Sequence, residues 1–294
     1  MDFADAREHA PWASTSRTNE DFFEIAIATE KLNPLSTIPG WHSHSLFEDV
    51  LHDDNVGLRL DANGSALVEL SEEGYFGSVP STGSWQHKLN IPLGQAHQRF
   101  RTWCKHKKIG VSQWKFSTNN LTMRTRKCFP VLKAKARNSV YVSEWLTACT
   151  SESVDTEYKQ QRHQMLKGFM EHWNTIRDAR PRVLLEPAEL ERVGRSRESM
   201  LLCYHYLAKV NQRSDIRRYN VRPKYHRIDH CVRRCLRTTV NPCLYWTYGS
   251  EDFMGTLARL SRQVHGSHTT RGTVDRWLLF WWSRIIIELA GGVE

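Results

Sequence analysis

The segment PGWHSHSLFEDVLH, residues 39–52, places acidic and imidazole groups directly beside apolar residues. Two later segments share this character: RPKYHRIDH at 222–230 and YGSEDFMG at 248–255. Polar and apolar residues combined in this way are typical of a functional site near the core, because a solvent-exposed face usually lacks large apolar side chains. Asp49 and His52 lie three residues apart in the first segment. A buried carboxylate there requires a partner, and a metal ion is one kind of partner.

Composition limits the class of protein. A chain of 294 residues can form one large domain or two, and its charged fraction of 25% is that of a globular protein. No stretch reaches the ~20 apolar residues of a membrane span, because Arg284 and Glu288 interrupt the most apolar run. The first residues lack the basic start and apolar run of a secretion signal, and seven scattered cysteines favour reduced thiols. We therefore expect a nuclear or cytoplasmic protein that is neither secreted nor membrane-bound.

The net charge of +9 conceals an uneven distribution. Residues 1–73 hold 15 acidic and 4 basic side chains. Residues 74–143 hold no acidic and 13 basic side chains, and residues 144–294 hold 17 acidic and 24 basic ones. The acid-free segment 74–143 is expected to attract nucleic acid, and its aromatic residues could stack on unpaired bases. The alternative is that these aromatic residues form core and the cations a solvated face. The candidate contacts are Lys105, Lys107, Lys108, Arg124, Arg126, Lys127, Lys133, Lys135 and Arg137, with Trp85, Phe100, Trp103, Trp114 and Phe116 as candidate stacking residues.

Hydrophobic periodicity predicts a largely helical chain. Between the alternating runs GLRL and ALVEL, the sequence Asp61-Ala-Asn-Gly64 predicts a turn, although the second run could also begin a helix. The run 277–287 is apolar around its whole circumference, so we expect that helix to be buried in this chain or against a partner, including a second copy. The predicted helices cover 12–31, 96–104, 138–149, 158–179, 188–210, 253–264 and 274–289.

The three segments together resemble a known family. Asp-x-x-His after Pro-Gly-x-His, then Pro-Lys-x-His-x-x-x-His, then Tyr-x-x-Glu-x-Phe-Met-Gly-x-Leu is an order similar to that of the CACTA transposases of cut-and-paste elements. It looks closest to the transposase-like proteins of dinoflagellate genomes. The resemblance implies a core similar to ribonuclease H, in which a mixed sheet with flanking helices carries two aspartates and a glutamate. The implied fold is α/β and predominantly helical, with a partial core and a large helical insertion.

The resemblance also assigns roles to residues. Asp49 matches the second catalytic aspartate, His52 the histidine of its motif, and Glu251 the third carboxylate, while His226 and His230 match the Pro-Lys-x-His element. Asp49 and Glu251 would then hold Mg²⁺ or Mn²⁺, which activates water at a phosphodiester. The implied partner is DNA. The implied divisions are 1–73 as a first half of the core, 74–215 as a basic helical insertion, and 216–294 as the C-terminal helical part of the core.

The sequence departs from this family ahead of Asp49. A ribonuclease H core begins with a strand that carries the first catalytic aspartate, but here a helix and a proline-broken loop come first, and Asp2 and Asp5 are the early acidic candidates. We therefore expect a transposase-derived, N-terminally truncated protein that binds nucleic acid and has lost catalysis. An active metal-dependent polynucleotidyl transferase or nuclease, and a noncatalytic orphan protein unrelated to transposition, are the alternatives.

Each motif also has a purely structural interpretation. Asp49 and His52 could form a capped, hydrogen-bonded pair in a turn, and Asp53 and Asp54 are expected to be surface acids. Glu251 opens a helix, where acidic residues interact favourably with the helix dipole.

The histidine and cysteine pattern of the second segment allows a metal site. His226, His230, Cys231 and Cys235 recur at helical spacing and could bind zinc. Zinc sites usually draw ligands from two elements, however, so packing at a helix start is the favoured interpretation.

Overall fold

The structure is a computed structural model that describes residues 19–29, 34, 38–39, 47–262 and 269–289. The predicted helical character is confirmed. Within the described part of the chain, β-type pairing is limited to an isolated antiparallel bridge between Leu184 and Val240. The mixed sheet that a ribonuclease H-like core requires is not present among these residues.

The described elements follow one another as helices joined by turns and loops. They are α1 (Asn19–Ala28), a π-type turn (Leu51–Leu58), α2 (Arg59–Glu72), α3 (Trp85–His106), α4 (Ala136–Ser151), α5 (Glu157–Asp178), α6 (Pro187–Arg197), a second π-type turn (Glu198–Leu202), α7 (Cys203–Arg213), α8 (Pro223–Thr238), a 3₁₀ turn (Pro242–Leu244), α9 (Tyr248–Ser261) and α10 (Thr269–Leu289).

The chain divides into two compact units, Met1–Tyr245 and Trp246–Glu294. This division differs from the predicted boundaries at 73 and 215, because α2 packs against α3, α4 and α5 within the first unit. Helix α8, which follows position 215, likewise packs against α6 and the Leu51–Leu58 turn, which precede it.

Local sequence signals set the ends of several helices. Ser84 begins α3 by accepting a hydrogen bond from the His87 N–H at 3.2 Å, and Thr156 begins α5 in the same way. Glu186 and Glu189 form a reciprocal capping box at the start of α6. At the end of α8, Thr239 adopts a left-handed conformation with φ of 57°.

Helix α2 lies at the centre of the first unit and is buried along nearly its whole length. Beside it, an aromatic cluster of Phe76, Phe100, Phe116 and Trp145 fills the space between α3 and α4, with ring centroids 5.4–6.1 Å apart. Aromatic pairs at these separations stabilise a core beyond the area that they bury.

The predicted turn at Asp61–Gly64 is wrong, because these residues lie inside α2. The glycine there serves close packing: a Cβ at Gly64 would lie 2.7 Å from the Pro130 carbonyl oxygen and 3.1 Å from the Leu132 nitrogen. The Leu132 N–H donates to the Leu60 carbonyl at 3.0 Å, which fixes the 130–132 loop against α2. The helix predicted over 188–210 is also interrupted, by the second π-type turn.

The second unit contains α9 and α10, which pack against each other. Phe253 and Trp277 meet edge to face with centroids 5.9 Å apart. Within the second unit, Trp277 of α10 is half-buried, while Leu279 is 68% exposed and Trp282 60%. Coverage by a partner or a second copy stays a prediction. None of the helices that the structure describes has the length and apolar character to cross a bilayer.

We predict that Gly64→Ala destabilises the protein although alanine favours helices. Alanine gains about 1 kcal/mol in helix propensity. Its methyl group would collide with backbone atoms of the 130–132 loop, and overpacking of this kind costs typically about 1–3 kcal/mol. Urea unfolding should show a lower midpoint with an unchanged slope.

Gly110→Ala provides the matched control, because nothing lies within 4 Å of the position that its new methyl group would take. We expect a change within about 0.5 kcal/mol for this surface substitution. Equal stability of Gly64→Ala and the wild type would show that the loop moves aside freely.

Candidate functional site

The described end of the first quoted segment, residues 47–52, lies beside the second, since the Leu51–Leu58 turn packs on α8 within the first unit. The Arg227 guanidinium of α8 lies 3.2 Å from the Asp53 carboxylate, and the Lys224 ammonium donates to the Val56 carbonyl at 3.3 Å. Arg234 lies over the ring of Phe47, 4.8 Å from its centroid. The third segment belongs to the other unit.

Asp49 and His52 form the capped pair that the structural interpretation expects. One Asp49 oxygen accepts from the Leu51 N–H at 3.0 Å, and the other lies 2.5 Å from His52 Nδ1. Asp49 is half-buried, while His52 is exposed. This pairing orders the start of the π-type turn. A catalytic role for the pair stays a prediction.

The expectation that Asp53 and Asp54 are surface acids is wrong, since both are 1% exposed. Asp54 binds Arg59 in a bidentate ion pair, with contacts of 3.0 and 2.6 Å. The partners are five residues apart, on either side of a kink at Val56 and Gly57, a spacing that an α-helical pattern of three or four residues overlooks.

Asp53 and Asp61 are buried carboxylates beneath three cations of the second segment. Burial raises the pKa of Asp53 to about 6, and the nearby Arg227 and Lys224 oppose that shift. Burial likewise raises the pKa of Asp61 to about 6, opposed by Arg222, with which it forms an ion pair. Neither oxygen of Asp53 accepts a hydrogen bond from the described residues. This cluster is therefore sensitive to protonation between about pH 4 and 6.

The histidines and cysteines of α8 point in different directions. His226 and His230 are half-buried and meet through their Nε2 atoms at 2.8 Å. Cys231 and Cys235 are buried in the core, and burial raises the pKa of the Cys235 thiol to about 12. The two histidines contact each other while both thiols lie in the core, so this arrangement fits packing.

The metal site predicted at Asp49 and Glu251 stays a prediction. Both Asp49 oxygens already interact with Leu51 and His52, and the neighbouring Asp53 faces cations instead of an open cradle. No group of three or more histidine, cysteine, aspartate or glutamate residues in the described part of the chain could hold an ion. Glu251 belongs to α9, but its side chain lies outside the described residues, as do Asp2 and Asp5.

The nine predicted nucleic-acid contacts are all exposed: Lys105, Lys107, Lys108, Arg124, Arg126, Lys127, Lys133, Lys135 and Arg137. They lie at the end of α3, in the loop 107–135 and at the start of α4. Among the described residues, Lys107 is the member of this set with a carboxylate partner, Glu144 at 3.6 Å. The loop is held by backbone bonds from Val131 to Leu121 and from Lys133 to Asn120, so its cations project from an ordered backbone.

The structure separates the five aromatic candidates into core and surface residues. Phe100 and Phe116 are fully buried in the aromatic cluster and cannot stack on bases, so that prediction is wrong for both. Trp85 and Trp103 are half-buried. Trp114 is 74% exposed.

An open groove of about 700 Å³ lies between α3 and the residues Phe76 and Gly77. Every lining residue belongs to the acid-free segment, and the lining combines an arginine and a histidine with an indole ring. These residues are Phe76, Gly77, Gln95, Gln98, Arg99, Thr102, Trp103 and His106. Sequence reasoning identified the basic segment but missed this groove, which depends on the packing of Phe76 against α3.

Searches of protein-family models, of curated proteins and of solved structures found no match to this chain.

We predict that Asp53→Asn stabilises the protein at pH 7.5. The unfolded carboxyl has a pKa near 3.9, whereas the folded pKa is about 6. Between these two pH values the folded state binds a proton at Asp53 that the unfolded state has lost. The free energy of unfolding therefore falls as pH rises from about 4 to 6. Asparagine carries no charge and removes this loss. We expect it to raise the free energy of unfolding at pH 7.5 by about 1–2 kcal/mol, after allowance for solvent around the half-exposed Arg227.

Urea unfolding at several pH values measures the effect, and the gain should vanish near pH 4. Asp178→Asn is the matched control, because Asp178 is an exposed aspartate at the end of α5. A variant less stable than the wild type at pH 7.5 would mean that attraction to Arg227 and Lys224 outweighs the cost of burial.

Proposed function

We propose that this protein binds nucleic acid through the exposed cations of the acid-free segment. The observation that carries the proposal is the exposure of all nine candidate cations on a segment that contains no carboxylate. Phosphate backbones are recognised by such arrays of lysine and arginine, and release of counterions drives their binding.

The placement of the acidic residues supports the same proposal. The acidic residues of segment 1–73 do not simply neutralise the surface, because Asp53, Asp54, Asp61 and Glu69 are buried. Asp54 pairs with Arg59 of the same segment, while the other three pair with cations from later in the chain, such as Arg162, which lies 3.1 Å from Glu69. Ion pairs within the protein therefore engage these four acids, while the cations of the acid-free segment remain exposed to solvent.

We further propose descent from a CACTA-like transposase without retention of its chemistry, and a nuclear or cytoplasmic place of action. The order of the three segments supports the descent, and DNA is then the expected polyanion. The engagement of both Asp49 oxygens by Leu51 and His52 supports the loss of metal-dependent catalysis. A ribonuclease H-like ancestry is part of this proposal, although the described residues form helices rather than its sheet.

We expect salt-dependent binding of labelled DNA, measured by fluorescence anisotropy. Replacing Lys127, Lys133 and Lys135 together by alanine should weaken binding to all sequences. Each lost phosphate contact lowers the slope of log K against log salt by roughly 0.9 for duplex DNA, so the slope should fall by about 2–3. The side chains of these lysines make no ion pair or hydrogen bond with other described residues, so the fold should persist.

Replacing Lys167, Arg192 and Arg213 by alanine is the control, because these exposed cations lie on helices outside the acid-free segment. It removes the same formal charge and should leave the slope nearly unchanged. Equal losses in both triple variants would show that binding follows net charge alone, and an absence of binding at low salt would refute the proposal.

We predict that addition of Mg²⁺ or Mn²⁺ leaves bound duplex DNA intact. The physical reason is that the Asp49 carboxylate is held by Leu51 and His52 and has no described acidic neighbour free of cations. A plasmid-nicking assay tests this. Nicking by the wild type that Asp49→Ala abolishes would contradict the prediction.

A further inference from the structure

The exposed indole of Trp114 has an unusual setting. Large apolar side chains are usually covered, and a tryptophan with 74% of its surface exposed leaves an extended flat face in water. Gln113, directly before it, and Phe116, two residues after it, are buried, at 5% and 0% exposure. The chain therefore turns Gln113 and Phe116 inward, while Trp114 and Lys115 face outward.

The backbone on each side of Trp114 is fixed by hydrogen bonds. The Gln113 side-chain amide donates to the Lys133 carbonyl at 3.0 Å, and the Asn120 amide donates to the Lys115 carbonyl at 2.7 Å. The Thr118 N–H donates to the Asn90 side chain at 2.8 Å. An aromatic ring on an ordered backbone loses little conformational entropy when a planar ligand stacks on it.

Exposed cations lie on the same ordered loop as this ring. Lys115 directly follows Trp114, and the hydrogen bond from the Gln113 side chain to the Lys133 carbonyl ties this part of the loop to the exposed Lys133, with Lys135 two residues further. No ring or cation contact to the Trp114 indole occurs among the described residues. The indole face is therefore available, and the charge around it suits a phosphate backbone.

We propose that Trp114 is a stacking platform for an unpaired base, so that single-stranded nucleic acid is the preferred ligand of this surface. A duplex keeps its bases stacked on one another and offers only phosphates to the lysines. A single strand offers both phosphates and base faces, and base–aromatic stacking combined with a basic surface is a general mode of single-strand binding. This inference rests on the proposed function.

Anisotropy titrations with three labelled probes test it: an oligothymidylate, a duplex of equal length, and an abasic strand that keeps the phosphates. We expect Trp114→Ala to bind the oligothymidylate about 5- to 100-fold more weakly, as expected for the loss of one stacked base. Binding of the duplex and the abasic strand should be unchanged, and so should the salt slope. Trp114→Phe should recover part of the lost affinity because it keeps an aromatic face.

Trp282→Ala is the matched control, because this exposed tryptophan belongs to the second unit. Salt-dependent duplex binding with no loss in Trp114→Ala would overturn the stacking inference and leave the proposed function standing. Failure of the wild type to bind any probe would overturn both. A change in oligomeric state in Trp114→Ala, with unchanged oligothymidylate affinity, would assign the ring to contact between copies and also overturn the inference.

Discussion

The fold depends on the need to pair the charges of a central buried helix. Helix α2 is surrounded by protein yet carries the buried Glu69, which is 8% exposed. A charge in that position is tolerated only with close partners. Arg162 of α5 supplies an ion pair, while the hydroxyls of Tyr158 and Tyr219 donate hydrogen bonds of 2.5 and 2.7 Å. These partners come from distant parts of the chain, so satisfying one carboxylate fixes where α5 and the segment before α8 can lie.

The same constraint recurs at the amino-terminal end of α2. Arg59 is 0% exposed and binds Asp54 within its own turn, and it also donates to the Phe169 carbonyl of α5 at 3.1 Å. His172 lies nearby, and burial lowers its pKa to about 4, so it stays neutral beside this pair. Charged groups that must be paired specify one arrangement of α2 and α5. A purely apolar contact surface would allow several arrangements that bury similar areas.

The pairing of buried charged groups also explains which helices the sequence predicts and which it does not. Helices α4 and α5 are amphipathic, so periodicity finds them within two residues of their observed ends. Helix α2 has polar residues on all sides because its partners are other side chains rather than water, and periodicity therefore has no face to detect. The packing of Gly64 against Pro130 looks like a turn signal in the sequence, because the loop that explains it lies more than sixty residues away. The candidate site was predictable as a basic segment, but the separation of buried Phe116 from exposed Trp114 required the structure.

Arginine and lysine serve two opposite purposes in this chain, and composition alone does not distinguish them. Arg59 and Arg162 are enclosed and matched to carboxylates, so their charge is cancelled at short range. Lys133 and Lys135 are exposed on a segment without acids, so their charge extends into solvent until salt screens it. A net charge of +9 therefore understates the local charge available to a polyanion, because the acid-free segment 74–143 alone carries 13 basic side chains. Binding of nucleic acid by this protein would consequently depend on where its carboxylates fold, as much as on how many lysines it contains.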